Sequence, residues 1–219
     1  MKKTDNSCWK RVFQREAEKS GILLKKEEVY LFEKYLFLIE EWNKKINITA
    51  IKTWEEVAIK HFLDSLFVLK QVSLSGKIAD IGSGGGFPGI PLKIVKPSLD
   101  LTLIEPIRKR ASFLSTVISG LKLKKISVYN GRAEAFLEKE AFDFTISRAL
   151  SDLKTFCSLS FPLLKKGGLL VAMKGKETAS EEAELKKAEI NIKIIEKKEL
   201  ELPQKYGSRS IIILQKCFT

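Results

Sequence analysis

The sequence predicts an α/β fold: a doubly wound, mostly parallel seven-stranded sheet behind an N-terminal helical extension. Three observations predict it. From Lys77 onward short β-rich runs alternate with helical ones, the order that builds a parallel sheet through right-handed crossovers. Most of those runs are continuously apolar rather than alternating, as strands covered on both faces must be. A glycine-rich turn, ADIGSGGGFPG (79–89), follows the first of them.

Three helices are expected in the first 75 residues. Residues 9–21 end at Gly21, a natural C-cap. Residues 25–45 place Val29, Phe32, Leu36, Ile39 and Trp42 near helical spacing. Residues 53–72 open with Thr53 as N-cap and Glu56 at the capping-box position. The break between the last two is WNKKINITAIKT. The chain thus divides into an extension, residues 1–75, packed on a core, residues 76–219. In the core, strands are expected at 77–82, 99–105, 125–131, 142–149 and 167–175, with crossover helices at 87–96, 108–122, 133–140 and 151–167. Two final strands, 191–202 and 208–217, are joined too closely for a parallel crossover and form an antiparallel hairpin at one sheet edge.

A chain of 219 residues holds one sizeable α/β domain with a modest extension. No apolar run approaches the roughly 20 residues of a membrane span, and the N-terminus is charged where a signal peptide is apolar. A cytoplasmic protein with no membrane partner is expected, which removes glycosylation as a meaning for Asn47-Ile48-Thr49. Cys8, Cys157 and Cys217 lie far apart without a C-x-x-C, and the single histidine is His61, so neither a disulfide framework nor a metal site is expected. Cys157 reads as a small buried apolar residue rather than a nucleophile. The net charge is +12: residues 1–75 carry 14 Lys+Arg against 11 Asp+Glu, and the remainder 25 against 16. A polyanionic partner accounts for that excess; a lysine-rich solvated surface is the blander account.

Asp80-Ile-Gly82-Ser-Gly84-Gly-Gly86 has the spacing D-x-G-x-G-x-G. Read from Gly82 it fails the dinucleotide fingerprint G-x-G-x-x-G, because Phe87 occupies the third glycine's place; read from Gly84 the glycines reach Gly89, but through a proline-containing turn where that fingerprint wants a helix opening against the strand. Glycines there allow positive φ and leave room for a bulky ligand end. Asp80 suits either a ligand ammonium or the ordering of the loop. Glu105 ends the second strand 21 residues after Gly84, the separation at which an acid meets ribose hydroxyls. In NGRAE, Ala133 and Glu134 can flank an adenine ring, although Glu134 is also an ordinary first-turn acid. Arg148 and Lys174 close their strands at the same edge, where open α/β sheets bind ligands; a strand-end ion pair explains Arg148 equally well by position.

The stretches ADIGSGGGFPGIPLKI, TLIEPIRKRASFL, GRAEAF, FDFTISRA and KHFLDSL together resemble the RsmG (GidB) family of bacterial methyltransferases, from WNKKINITA through the last strand. The resemblance implies a Rossmann-like class I methyltransferase fold, S-adenosyl-L-methionine as cofactor, and methyl transfer to N7 of a guanine in 16S ribosomal RNA of the small subunit. It carries cofactor contacts onto Gly82, Phe87, Ala133, Glu134 and Arg148, to which the residues themselves add Asp80, Gly84 and Glu105. Arg108, Lys109, Arg110 and Lys174 are the expected RNA contacts, and a monomer is expected. Two positions depart from the family: Lys60 stands for a usual Arg and Pro106 for a frequent Ser. Guanine N7 has no proton to remove, so alignment carries the catalysis, with Arg148 the one candidate catalytic residue. His61 and Asp64 read as structure beside the cofactor's methionine end. The rivals are a methyltransferase for protein or small molecules, an inactive RNA partner, and a nicotinamide oxidoreductase.

Overall fold

The computed structural model describes residues 8–148, 150, 152–175, 178–188 and 190–217. Ala149, the last residue of the S-R-A stretch, lies outside them. Helices α1 (Cys8–Lys19) and α2 (Lys26–Asn43) come first, followed by a segmented helix. Its parts are α3 (Trp54–Val57), a π-helical stretch (Ala58–Leu63), α4 (Asp64–Leu66) and α5 (Val68–Gln71). Then come β1 (Lys77–Ile81), α6 (Gly89–Val95), β2 (Asp100–Ile104), α7 (Arg108–Gly120), β3 (Ile126–Tyr129), β4 (Phe142–Arg148), α8 (Leu153–Ser160), β5 (Leu164–Lys174), α9 (Ala179–Lys187), β6 (Ile192–Glu201) and β7 (Ser208–Lys216).

The seven strands form one sheet in the order β3-β2-β1-β4-β5-β7-β6. The first five are parallel, and β7 pairs antiparallel with both β5 and β6. The chain order reverses between β1 and β4, which opens a crevice beyond their carboxyl ends. The expected terminal hairpin is present, with β7 inserted so that β6 forms the edge.

Strand parity assigns the two faces. Ile78, Leu101, Leu103, Ile146, Val171, Met173, Ile211 and Ile213 belong to the same core cluster as Trp9, Phe13, Phe32, Tyr35 and Phe62. Ala79, Ile81, Ile104, Leu170, Ala172, Ile212 and Leu214 share the opposite cluster with Phe156 and Cys157 of α8. The N-terminal helices therefore share a continuous core with one sheet face. Their aromatic rings mesh closely, Phe13 on Phe32 at 5.0 Å and Phe32 on Phe62 at 4.8 Å between centroids, close to the preferred range for such pairs.

Several elements differ from expectation. Thr53 caps as predicted, its Oγ1 accepting the Glu56 N–H at 3.2 Å, but the helix it opens is broken by the π stretch and again at Phe67. Residues 133–140 form only a 3₁₀ turn, Ala133–Ala135. Phe136 leaves the helix there to pack edge-on against Tyr129, 5.0 Å between centroids. The predicted helix 151–167 stops at Ser160, since β5 begins at Leu164 rather than at residue 167. Helix α9 is unpredicted; Leu185 is its one buried residue, too little for a visible apolar stripe.

Candidate functional site

A cleft of about 650 Å³ opens beyond the carboxyl ends of β1, β2, β4 and β5. Its floor is the glycine loop. Gly82 has φ +71°, a left-handed conformation that side chains resist, and the N–H groups of Gly82 and Ser83 both donate to the Ile104 carbonyl at 2.9 and 3.2 Å. That seats the end of β1 on β2. From the N-terminal side, the buried Tyr35 hydroxyl donates to the Gly85 carbonyl.

Glu105 is 2% exposed and reaches back to the loop, accepting the Gly84 N–H at Oε2 and the Ile107 N–H at Oε1, each at 2.8 Å. The separation of 21 residues noticed in sequence is thus spanned by a direct bond. Each carboxylate oxygen keeps a second lone pair, and Glu105 lines the cleft. Asn130 fixes the turn from behind, donating to the Glu105 carbonyl at 2.9 Å.

Asp80 behaves differently. Parity places it on the face beneath α6, where Oδ2 accepts the Gly89 N–H at 2.9 Å, and it does not line the cleft. A Cβ at residue 89 would lie 2.6 Å from that oxygen, so only glycine allows the bond. Of the two roles open to Asp80, the observed bond is the loop-ordering one. Burial pushes its pKa up to about 7, against the Gly89 hydrogen bond, which lowers it. Below pH about 4 both folded and unfolded chains hold the Asp80 proton; between about 4 and 7 only the folded one does. Its contribution to stability is therefore complete below about pH 4 and lost as pH rises through 7. Asp80→Asn is expected to remove a slope of at most about 1.4 kcal/mol per pH unit from urea-unfolding stabilities measured between pH 4 and 7.5. An unchanged slope would show that Asp80 does not titrate.

The opposite wall is a chain of polar contacts built across the fold. The π stretch carries Lys60 and His61 into the cleft ahead of Asp64, an arrangement often found at functional sites. Arg148 donates to the Lys60 carbonyl at 2.9 Å and to Asp64 Oδ2 at 3.4 Å, and its other terminal nitrogen lies 3.0 Å from His61 Nδ1. Arg209, from the start of β7, donates to the same Asp64 oxygen at 3.1 Å. Phe87 lies beneath both neighbours: the His61 ring stacks on it at 4.4 Å, and the Arg148 guanidinium sits 4.9 Å above its centroid.

Charge states follow from burial. Asp64 is 1% exposed, and desolvation raises its pKa more than the two arginines lower it. Desolvation, with the Arg148 charge adding to it, pushes His61 down to about 3, so the ring is neutral near pH 7. His61 Nδ1 lies 3.0 Å from an Arg148 nitrogen, which only donates, and 3.1 Å from the Lys60 carbonyl, which only accepts, so either tautomer finds a partner there. Nε2 is 2.7 Å from Thr49 Oγ1.

The structure brings Gly82, Gly84, Phe87, Glu105, Arg110, Arg148 and Lys174 together around the cleft. Lys174 also pairs with Glu181 at 2.8 Å. Arg148 lines the cleft and pairs with the Asp64 carboxylate, the strand-end ion pair that its position suggested. Arg108 and Lys109 are exposed on the first turn of α7, outside the lining, as are the buried Ala133 and the exposed Glu134. Lys60 sits 4.5 Å over the Tyr206 ring and pairs with Glu56 at 2.6 Å. Cys157 is buried, its thiol pushed up to about 12, chiefly by desolvation, which makes it a packing residue. Thr49, Ile51 and Arg209 also line the cleft, unforeseen because no local signal marks a loop threonine or one more surface cation. Among the described residues no group of three or more His, Cys, Asp or Glu side chains is placed to hold a metal ion.

Comparison with known proteins completes the picture. Residues 28–212 match the family model described as rRNA small subunit methyltransferase G. The ribosomal RNA small subunit methyltransferase G of Geotalea uraniireducens is 39% identical over 215 residues, covering 96% of this chain and 98% of that protein. The protein of the same name from Bacillus pumilus is 37% identical over 213 residues, covering 93% and 89%. Among solved structures, a SAM-dependent methyltransferase from Aquifex aeolicus superimposes with a TM-score of 0.57 at 17% identity, covering 77% of this chain and 96% of that one. TYW2 of M. jannaschii in complex with AdoMet gives 0.53 at 15% identity, covering 69% and 74%. These two establish the fold. The matches of sequence span the glycine loop, Glu105, Arg148 and Arg209 alike, and by them the chain belongs to the rRNA small subunit methyltransferase G (GidB) family.

Proposed function

We propose that this protein, acting as a cytoplasmic monomer on 16S ribosomal RNA or the small ribosomal subunit, transfers a methyl group from S-adenosyl-L-methionine to N7 of a guanine in that RNA. The observation that carries the proposal is the Glu105–Gly84 bond across the floor of a cleft whose opposite wall is arginine-rich, in a chain of this family. The residues present fit the cofactor. Glu105 keeps lone pairs for ribose hydroxyls, the bare backbone of Gly82 and Gly84 leaves room above the loop, and Ile48, Ile51, Ile107 and Met173 supply apolar lining.

When bound, S-adenosylmethionine supplies an electrophilic methyl on a sulfonium, whose S–C bond breaks as the N7–C bond forms. The protein's own task is alignment. His61 has no basic role in it: its Nδ1 is enclosed by Arg148 and the Lys60 carbonyl, and desolvation holds the ring neutral near pH 7. Arg148 locks the wall against Phe87. Lys60, Arg110, Lys174 and Arg209 at the cleft, with Arg108 and Lys109 beside it, are assigned to RNA phosphates. Ala133 and Glu134 are assigned to the adenine end, which the 3₁₀ turn after β3 can border. Residues 1–75 are taken as an extension packed on a core of residues 76–219.

The test is incubation with radiolabelled S-adenosylmethionine and either small subunits or free 16S ribosomal RNA, with N7-methylguanine mapped by chemical strand scission. Label at one guanine is expected. Label in protein, or in no form of the RNA, would overturn the reading. With the six phosphate contacts assigned above, RNA binding is expected to weaken roughly a thousandfold between 50 and 200 mM salt; affinity that ignores salt would remove the phosphate assignments.

A further inference from the structure

We propose that Lys122, Lys124 and Lys125 hold phosphates of the RNA substrate at the end of α7 remote from the cleft, so that the RNA backbone runs along the outward face of that helix; this rests on the reading of the protein as an enzyme acting on RNA. The first observation is a run without acid. Residues 106–133 contain no Asp or Glu, yet carry three cations at the start of α7, three just after its end, and Arg132. At the chain's average of 27 acids in 219 residues, a stretch of that length would hold about three or four. None of these cations is paired with a carboxylate among the described residues.

The fold turns that run into a surface with two charged ends. Helix α7 starts beside the cleft, which Arg110 lines, and leads to the opposite edge of the sheet, where the Lys125 carbonyl accepts the Leu101 N–H at 3.1 Å. Its 13 residues hold the ends about 20 Å apart. Phe113, Leu114 and Val117 are buried in the core shared with α2, while Ser112, Ser115 and Ser119 are exposed, so the outward face itself carries no negative charge. Two acids flank it from neighbouring elements. Glu33 of α2 borders a groove with Gly120 but pairs with Lys10 at 2.6 Å. Asp100 starts β2 just before Leu101, and one carboxylate against three lysines leaves that end strongly positive.

The lysines also stand where the backbone does not favour them. The Leu123 N–H donates to the Ile118 carbonyl and the Lys122 N–H to that of Ser119, each at 3.0 Å, the helix-ending motif whose left-handed position glycine usually fills. Lys122 fills it at φ +54°, and Lys125 is left-handed again at φ +52°, a conformation that side chains resist. The helix dipole favours a cation at residue 122, but it gives no reason for a second strained lysine at 125. A polyanion long enough to reach from the cleft to the far end of α7 gives one, since each phosphate met by a lysine releases counterions.

The test combines Lys122→Asn, Lys124→Gln and Lys125→Asn; asparagine accepts the left-handed backbone, so the variant keeps its fold. A control, Lys154→Gln with Lys186→Gln and Lys193→Gln, removes the same charge from exposed positions on α8, α9 and β6. Affinity for 16S ribosomal RNA is measured across 50–200 mM salt, affinity for S-adenosylmethionine by calorimetry, and KM with small subunits. The α7 variant is expected to lower the slope of log affinity against log salt by about 2–3 and to weaken RNA binding on the order of tenfold. Its cofactor affinity is unchanged, and the control keeps the parent's slope. An unchanged slope in the α7 variant, or an equal loss in the control, would overturn the proposal. So would weakened cofactor binding, which would trace the effect to the fold. Parental affinity for RNA with a raised KM on small subunits would also overturn it, giving the face to a protein of the subunit. Failure of the unaltered protein to bind RNA would instead overturn the reading on which the proposal stands.

Discussion

Gly82→Leu is expected to weaken S-adenosylmethionine binding by roughly a hundredfold or more, about 2.7 kcal/mol, while the chain stays folded. Two effects combine. The residue sits at φ +71°, where a side chain costs roughly 1–2 kcal/mol, and a Cβ there would stand 2.3 Å from Leu150 Cδ1 at the edge of the cleft. Leu150 can move aside, so the fold survives, but the displaced chain and the new one fill the space above the loop. Gly82→Ala separates the contributions, because it brings the strain and little of the bulk. Calorimetry reads the affinity and circular dichroism the fold. Retained affinity in the leucine variant would show that the loop is only a turn.

Asp64→Ala is expected to be the most destabilising single change in the cleft. It leaves the Arg148 and Arg209 guanidiniums facing each other without their shared carboxylate. Breaking a fully buried pair in this way costs roughly 3–5 kcal/mol. Here the arginine side chains are 16% and 26% exposed, and water recovers part of the loss, so about 2–4 kcal/mol is expected from urea unfolding. In a chain of this size that corresponds to a melting point lower by very roughly 4–16 °C. Asp64→Asn keeps the volume without the charge and should show most of the same loss. A change of less than about 1 kcal/mol in both variants would mean that the arginines find other partners and that Asp64 holds nothing together.

Much of the fold was legible because its signals are local. Apolar runs at 77–82, 99–105 and 142–149 need only their own composition to declare buried strands, and the 21-residue separation of Gly84 and Glu105 marks two residues that meet by a direct bond. The failures are equally physical. The run from Ala133 to Glu140 has helix formers but no second turn of core contacts, and Phe136 gains more by turning inward against Tyr129 and Phe142. Asp80 could have been placed by counting: it shares parity with Ile78, on the face that the N-terminal helices cover. The Arg148–His61–Thr49 chain and Arg209 are beyond such counting. Arg209 and Asp64 are 145 residues apart, and what brings them together is β7 inserting beside β5.

The glycine loop is fastened from three directions by its own chain: Tyr35 from α2, the Ile104 carbonyl from β2, and Glu105 from just beyond β2. A segment so tethered has few conformations left to surrender, and the entropy of ordering it is charged to folding instead of to each encounter with a ligand. Residues 82–86, a stretch that glycine composition alone would leave free to flex, are thereby held as a preformed mould.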